Sequence, residues 1–267
     1  MNNIIKLTKP ILRNFLPGGI RTHRIWGGLL RGEKIITSWH DYPAAILGYT
    51  ERPLLDWFSQ NVKPGATWLD IGAHYGYTAI ALSRFVGVMG RVFAFEPMLS
   101  TAGHVTQTRR LNKFPQLTVV PCGLSVPETL EIISLPVIRG MADSTLVKNE
   151  GGRRKRNGWS ETVMVARFDW LWSRICGADG QIDGVKIDVQ GMEIEVLNGM
   201  IETLRRYQPK LVVELHRGVD REKFLHTIEL AGYACDAIPI EPVEGEVSPL
   251  YMDDHSYFFH KPHESGT

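Results

Sequence analysis

The sequence predicts an α/β fold: a mostly parallel sheet, doubly wound, with helices on both faces. Three observations predict it. From Thr67 onward, short apolar stretches alternate with amphipathic ones at the spacing of strand–helix units. The strand-like stretches are almost continuously apolar, as strands buried on both sides are. Carboxylates and glycines collect where those strands end, which is where open α/β sheets hold ligands.

The elements follow in order. TWLDIGA (67–73) reads as a buried strand and YTAIALSRFV (77–86) as a helix with apolar residues at helical spacing. RVFAFEP (91–97) is a second strand, stopped by Pro97. Ser100 and Thr101 cap a helix running to about Asn112. LTVVPCGLS (117–125) is a third strand. LEIISL and ETVMVARF are short β-like pieces on either side of a polar loop, MADSTLVKNEGGRRKRNGWS (141–160). FDWLWSRIC (168–176) is helical, VKIDVQG (185–191) is a fourth parallel strand, and MEIEVLNGMIETLRRY (192–207) is one long helix. KLVVELH (210–216) is a strand and EKFLHTIELAGY a helix closed by Gly232. YACDAIPI and SYFFHKP end the order as strands. Residues 1–61 read as an N-terminal cap or lid, and 62–267 as the main domain with an insertion at about 126–166.

Bulk properties bound the function. A chain of 267 residues, 43% apolar and 22% charged, suits one large domain with an N-terminal extension. The net charge of +1 gives no argument for nucleic acid. Cys122, Cys176 and Cys235 are the three cysteines, far apart, which argues against a disulfide framework or structural zinc and for a reducing, cytoplasmic setting. No apolar run approaches the roughly 18–20 residues that span a bilayer. Residues 1–32 carry six basic and no acidic residues, read as a solvated basic face. The RRKR run at 153–156 is read the same way. The expected partner is a small molecule, with a homodimer as one admissible assembly.

The first turn, DIGAHYG, carries Gly72 and Gly76. Glycine lets the backbone approach a ligand, and the helix that follows aims its N–H groups there. A dinucleotide site prefers G-x-G-x-x-G around a pyrophosphate. Here Asp70 precedes the turn; it would repel phosphate and attract a sulfonium. That sign favours S-adenosylmethionine over NAD. Glu96 is placed to accept both ribose hydroxyls, which serves either cofactor. Cys122 and Gly123 stand at the third strand end, with Cys122 equally a plain buried residue. On the fourth strand Lys186 and Asp188 share a face. Asp188 is the expected proton acceptor, or holds the nucleophile in line; Lys186 is either part of that machinery or its structural partner. Glu193 is read as a favourable charge at a helix N-terminus. Glu214 and His216 lie one strand over, and His216 is the second choice of base. With Asp188 they are acid–base machinery or the oxygen-rich set of a hard cation; the first reading is preferred and no metal is expected.

These blocks resemble the FkbM family of S-adenosylmethionine-dependent methyltransferases. The resemblance rests on YTE (49–51), DIGAHYG (70–76), FEP (95–97), FD (168–169) and VKIDVQGMEIEVLNG (185–199), and covers roughly Gly48 to His216. It implies a class I, Rossmann-like sheet of seven strands with the last one antiparallel. It implies methyl transfer, typically to a hydroxyl on a sugar or natural-product scaffold such as a glycoside or polyketide. By position, Glu51, Asp70, Gly72, Glu96 and Asp188 line the cofactor site, with His74, Gly76, Tyr77 and Pro97 beside them. Ser144 and Thr145 match a hydroxyl-rich block that faces substrate, where Gln190, Glu214, Trp39 and Tyr42 are also expected. Gln190 stands where the family usually has glutamate, and His74 where it usually has asparagine. N-methylation, and a cofactor-binding protein without catalysis, are the alternatives.

Overall fold

The computed structural model describes residues 16–138, 141–142, 159–176, 180–242 and 251–262. Two short strands, β1 (Arg21–Arg24) and β2 (Lys34–Thr37), pair antiparallel, and helices α1 (Pro43–Leu47) and α2 (Arg52–Asn61) follow. Then come β3 (Thr67–Ile71), α3 (Tyr77–Val86), β4 (Arg91–Phe95), α4 (Leu99–Asn112), β5 (Leu117–Val120) and β6 (Gly123–Leu124). The middle of the chain gives β7 (Glu131–Ile138), β8 (Met141–Ala142), β9 (Trp159–Ala166) and α5 (Phe168–Cys176). The remainder is β10 (Gly184–Ile187), α6 (Glu193–Gly199), α7 (Ile201–Tyr207), β11 (Lys210–Leu215), α8 (Arg221–Leu230), β12 (Ile238–Pro239) and β13 (His255–Phe259).

The main sheet has seven strands in the order β12-β13-β11-β10-β3-β4-β5. The pairs from β11 to β5 are parallel, and β13 runs antiparallel to both its neighbours. Alternation along each strand splits the core. Trp68, Val92, Ala94 and Val212 pack against Leu54, Phe58, Leu82 and Val105 from α2, α3 and α4. Leu69, Ile71, Phe93, Phe95, Val185, Ile187, Leu211 and Val213 pack against Phe168, Trp172, Leu197, Leu204 and Phe224 from α5 to α8. Helices therefore cover both faces, as continuously apolar strands require.

The N-terminal segment is tied to this sheet through α4. Asn112 accepts the Lys34 N–H at 2.7 Å and donates to the Lys34 carbonyl at 2.7 Å, so one side chain pairs with β2 as a neighbouring strand would. Thr108 accepts the Ile36 N–H at 3.1 Å. Ile25, Leu30, Ile35, Ala45 and Leu55 pack on Tyr75, Tyr77 and Ile80.

Five sequence expectations change. The third strand is not continuous: Pro121, without an N–H, ends β5 at Val120, and the chain turns into β6, which joins a second sheet of order β6-β9-β7-β8. Ser100 and Thr101 do not cap α4; they lie in its first turn behind Met98, and no side-chain bond caps that position. The helix over 192–207 is two helices meeting at Met200; Gly199, the last residue of the first, lies against the Ser125 backbone, where a Cβ would collide with the carbonyl. Of the strand expected over 233–240, only Ile238 and Pro239 pair. Within the polar loop expected over 141–160, Met141–Ala142 and Trp159–Ser160 belong to strands, and 143–158, with the RRKR run, lies outside the described residues.

Candidate active site

From β3 the chain moves outward through β4 and β5 and then returns to β10 on the other side of β3. The switch point therefore lies between β3 and β10, and a cleft opens there. Gly72 makes the first turn. It has φ +83°, donates its N–H to the Phe95 carbonyl at 3.0 Å, and sits so close to the Asp188 carbonyl that a Cβ would collide with it. Only glycine combines that torsion with that approach.

Glu96, at the end of β4, is 6% exposed and lines the cleft. Its Oε2 accepts the His74 N–H at 2.9 Å and its Oε1 the Met98 N–H at 3.0 Å. The second bond does for the N-terminus of α4 what a capping side chain would. Burial pushes the Glu96 carboxyl up to about 7, against the pull of those two N–H groups. Beside it the second sheet contributes an apolar wall of Ile133, Leu135 and Val165, facing Met98. Cys122 and Gly123 also line this half, and burial pushes the Cys122 thiol up to about 11.

The other half is ionic. The Lys186 side chain is 4% exposed and lies 3.2 Å from both Asp70 and Asp188. Asp70, fully buried, also accepts the Thr78 hydroxyl at 2.7 Å. Burial opposes the Lys186 ammonium, but Asp188, Asp70, Glu214 and Glu51 outweigh it and hold its pKa above the ordinary lysine value. Burial would raise the Asp188 carboxyl; Lys186 and His216 outweigh that and hold it below the usual range.

His216 follows β11. Its Nδ1 lies 2.7 Å from Glu193 Oε1, and its Nε2 lies 2.8 Å from the Gln190 amide and 3.5 Å from both Asp188 and Glu214. Burial would lower its pKa, but hydrogen bonds to Glu193 and Glu214, with the Asp188 charge, raise it to about 10. Glu51, at φ +52° at the start of α2, is raised to about 7 by burial and then by Glu214. Asp188, Glu214 and His216 bring one ligand-type atom each within 4.8 Å of one another. The Lys186 ammonium already holds the Asp188 carboxylate, so we read the group as an ion-pair cluster.

Of the residues expected at the cofactor, Gly72, His74, Glu96, Pro97, Cys122, Gly123 and Asp188 line the cleft, as does Gln190. Asp70 and Lys186 lie buried behind them, with His216 against Gln190 and Asp188. Gly76 opens α3 at φ +82°, and Tyr77 packs into the core beneath the N-terminal segment. Glu51 and Glu214 act on Lys186 and on each other through their charges, and Tyr42 stacks obliquely on His74 at 5.5 Å. Trp39 does not line the cleft; it packs edge-on against Trp26 at 5.4 Å and His23 at 5.9 Å. Ser144 and Thr145 lie outside the described residues. The sequence reading missed the role of Glu193, which is 0% exposed and bonded to His216 instead of sitting in the open at a helix end. It also missed the apolar wall from the second sheet.

The family model described as Methyltransferase FkbM domain matches residues 70–236, well over half of the chain. Among solved structures, the chain is similar to the FkbM methyltransferase of Methylobacillus flagellatus KT, with 16% identity and a TM-score of 0.46 over 77% of this chain and 50% of that one. It thus spans half the length of that relative. It is similar to Aeropyrum pernix fibrillarin, solved with natively bound S-adenosyl-L-methionine, with 15% identity and a TM-score of 0.46 over 92% and 86% of the two chains. It is also similar to a SAM-dependent O-methyltransferase from Thermotoga maritima, with 14% identity and a TM-score of 0.45 over 92% and 78%. A comparison with curated proteins finds no match.

Proposed function

The chain belongs to the FkbM methyltransferase family, and from that premise we propose that it moves the methyl group of S-adenosylmethionine onto a hydroxyl of a small-molecule acceptor, a sugar or a natural-product scaffold. The observation that carries the reading is the sign of the charge at and behind the cleft: the carboxylates of Asp70, Asp188, Glu193 and Glu214, with Glu51 partly ionised near neutrality, outnumber the cations Lys186 and His216. Such a site draws a sulfonium and rejects a pyrophosphate. The residues present also fit the rest of the donor. Glu96 offers acceptor oxygens for a ribose diol, the wall of Ile133, Leu135 and Val165 suits a flat apolar base, and Gly72 lets the first turn lie against the Asp188 backbone so that both strand ends line one cleft.

When bound, S-adenosylmethionine supplies an electrophilic methyl on a positively charged sulfur. The chain must then exclude water, align the acceptor and take a proton. Asp188 was the expected base, but its ion pair with Lys186 makes it a weak one. Its charge is better suited to stabilising a cation. We assign proton transfer to His216, whose Nε2 meets Gln190 and Asp188 at the edge of the cleft. With its pKa raised to about 10 the resting ring is an imidazolium; it can act as the acceptor only once a bound sulfonium has lowered that pKa and the Nε2 proton has left to solvent. His216 Nε2 would take the proton of the acceptor hydroxyl as its oxygen bonded the methyl carbon, and the donor would keep the electron pair of the broken carbon–sulfur bond on sulfur. General base catalysis of this kind contributes about 10²–10⁴-fold.

The test is methyl transfer from labelled S-adenosylmethionine to a panel of glycosides, polyols and polyketides, with the attachment atom read by fragmentation mass spectrometry. Calorimetry with S-adenosylmethionine and NAD runs beside it. An O-methyl product and selective binding of the first support the reading. Selective binding of NAD, or label found on nitrogen, overturns it.

A further inference from the structure

We propose that Glu193 is a positioning residue for the reaction: it fixes the His216 ring so that Nδ1 carries the proton and Nε2 is left as the acceptor facing the cleft. The inference rests on the reading of His216 as the proton acceptor.

Glu193 is the first residue of α6, and Oε1 alone accepts two donors, the Gly191 N–H at 3.0 Å and His216 Nδ1–H at 2.7 Å. Oε2 is buried with no hydrogen-bond partner among the described residues. A glutamate serving only the helix dipole sits in solvent, where its charge is hydrated. This one is fully buried, which is costly unless the carboxylate is paired and hydrogen-bonded, and His216 and the Gly191 N–H are what pair it. A carboxylate on one ring nitrogen selects the tautomer, orients the ring and raises the basicity of the other nitrogen.

The surroundings of His216 agree. Gln190, at φ +55° and exposed, reaches Nε2 with an uncharged amide. As a donor it matches a neutral ring, and turned over it matches an imidazolium, since amide orientation follows the hydrogen-bond network. An acceptor hydroxyl taking the place of that amide meets Nε2 with its proton directed at the ring. The other charged groups around the ring are Asp188 and Lys186 on the β10 side, Glu214 on β11, and Arg221 of α8, whose guanidinium bonds the His216 carbonyl at 3.1 Å. Of these, Asp188 and Glu214 stand 3.5 Å from Nε2, whereas Glu193 is the acid in contact with Nδ1.

The test is Glu193→Gln in the full chain, with three readouts. Nitrogen-15 NMR of the wild-type ring shows a low-field Nδ1 proton and a pKa well above the ordinary 6.5. In the variant that signal is lost and the pKa falls by at least about one unit. The acid limb of the kcat profile then moves to lower pH, and the kcat of the high-pH plateau drops roughly 10- to 100-fold while the Kd for S-adenosylhomocysteine stays unchanged. Lower activity with an unmoved limb and an unmoved histidine pKa is what a purely structural role gives, and it overturns the proposal. If the variant does not fold, the wild-type spectrum decides: a His216 that titrates near 6.5, or carries its neutral-state proton on Nε2, overturns it. A wild-type enzyme with the expected ring spectrum and no hydroxyl product on any acceptor separates a failure of the proposed function from a failure of this inference.

Discussion

Replacing Lys186 by methionine removes the one ammonium between two carboxylates. Each pair is 3.2 Å apart, which at an effective dielectric constant near 20 corresponds to about 5 kcal/mol of gross attraction. Desolvation of a nearly enclosed ammonium cancels much of that. What the substitution adds is a pair of buried acids without a counterion, and breaking a buried ion pair costs about 3–5 kcal/mol. Asp70, with a fully buried side chain, carries more of this penalty than Asp188, whose side chain is 25% exposed. For a domain of this size the Tm should fall by roughly 6–20 °C, followed by circular dichroism or dye-based melting. The double variant Lys186→Met/Asp70→Asn should recover part of the loss, because the deepest orphaned charge is gone. A fall below about 2 °C in the single variant, or no recovery in the double, would show that the three groups are not an electrostatic unit.

Three further outcomes follow from the cleft. Asp188→Asn should weaken S-adenosylmethionine roughly 10-fold more than S-adenosylhomocysteine, since only the first carries charge at sulfur; equal weakening by calorimetry contradicts that placement. Glu96 titrates near 7 in the free protein, and ribose hydroxyls need its ionised form, so S-adenosylhomocysteine affinity should fall roughly 8-fold from pH 7.5 to 6. In Glu96→Gln that slope should be flat, and a slope that persists assigns it elsewhere. Gly72→Ala, which combines a positive φ with a collision at the Asp188 carbonyl, should reduce S-adenosylhomocysteine affinity by roughly 10-fold or more; wild-type affinity would refute the close approach.

The sequence conveyed β3, β4, β10, β11 and the helices after them because strands buried on both sides leave an unmistakable apolar run. It conveyed Glu96, Asp188 and Gly72 because strand ends at a switch point are where polar residues stand out. The misreadings share a cause. The break between α6 and α7 falls beside Gly199, whose neighbour Ser125 stands 74 residues earlier, and no local pattern announces that contact. Ser100 and Thr101 looked like caps, yet Glu96 takes the Met98 N–H from outside the helix. Glu193 matched a helix-end charge and was assigned there; its contact is with His216, 23 residues on and on another strand's end. Pro121 was a signal in plain view, and it does end β5.

The pairing of β13 with β11 has a consequence for how the molecule is made. Glu214 and Leu215 lie opposite Ser256 and His255, so the strand that carries the ionic half of the cleft is finished by residues 40 positions further along. Until those residues are made, β11 presents an open edge and Glu214 lacks the Ser256 hydroxyl. A nascent chain stalled before Ser256 should thus be sticky, prone to capture any passing strand until β13 closes that edge.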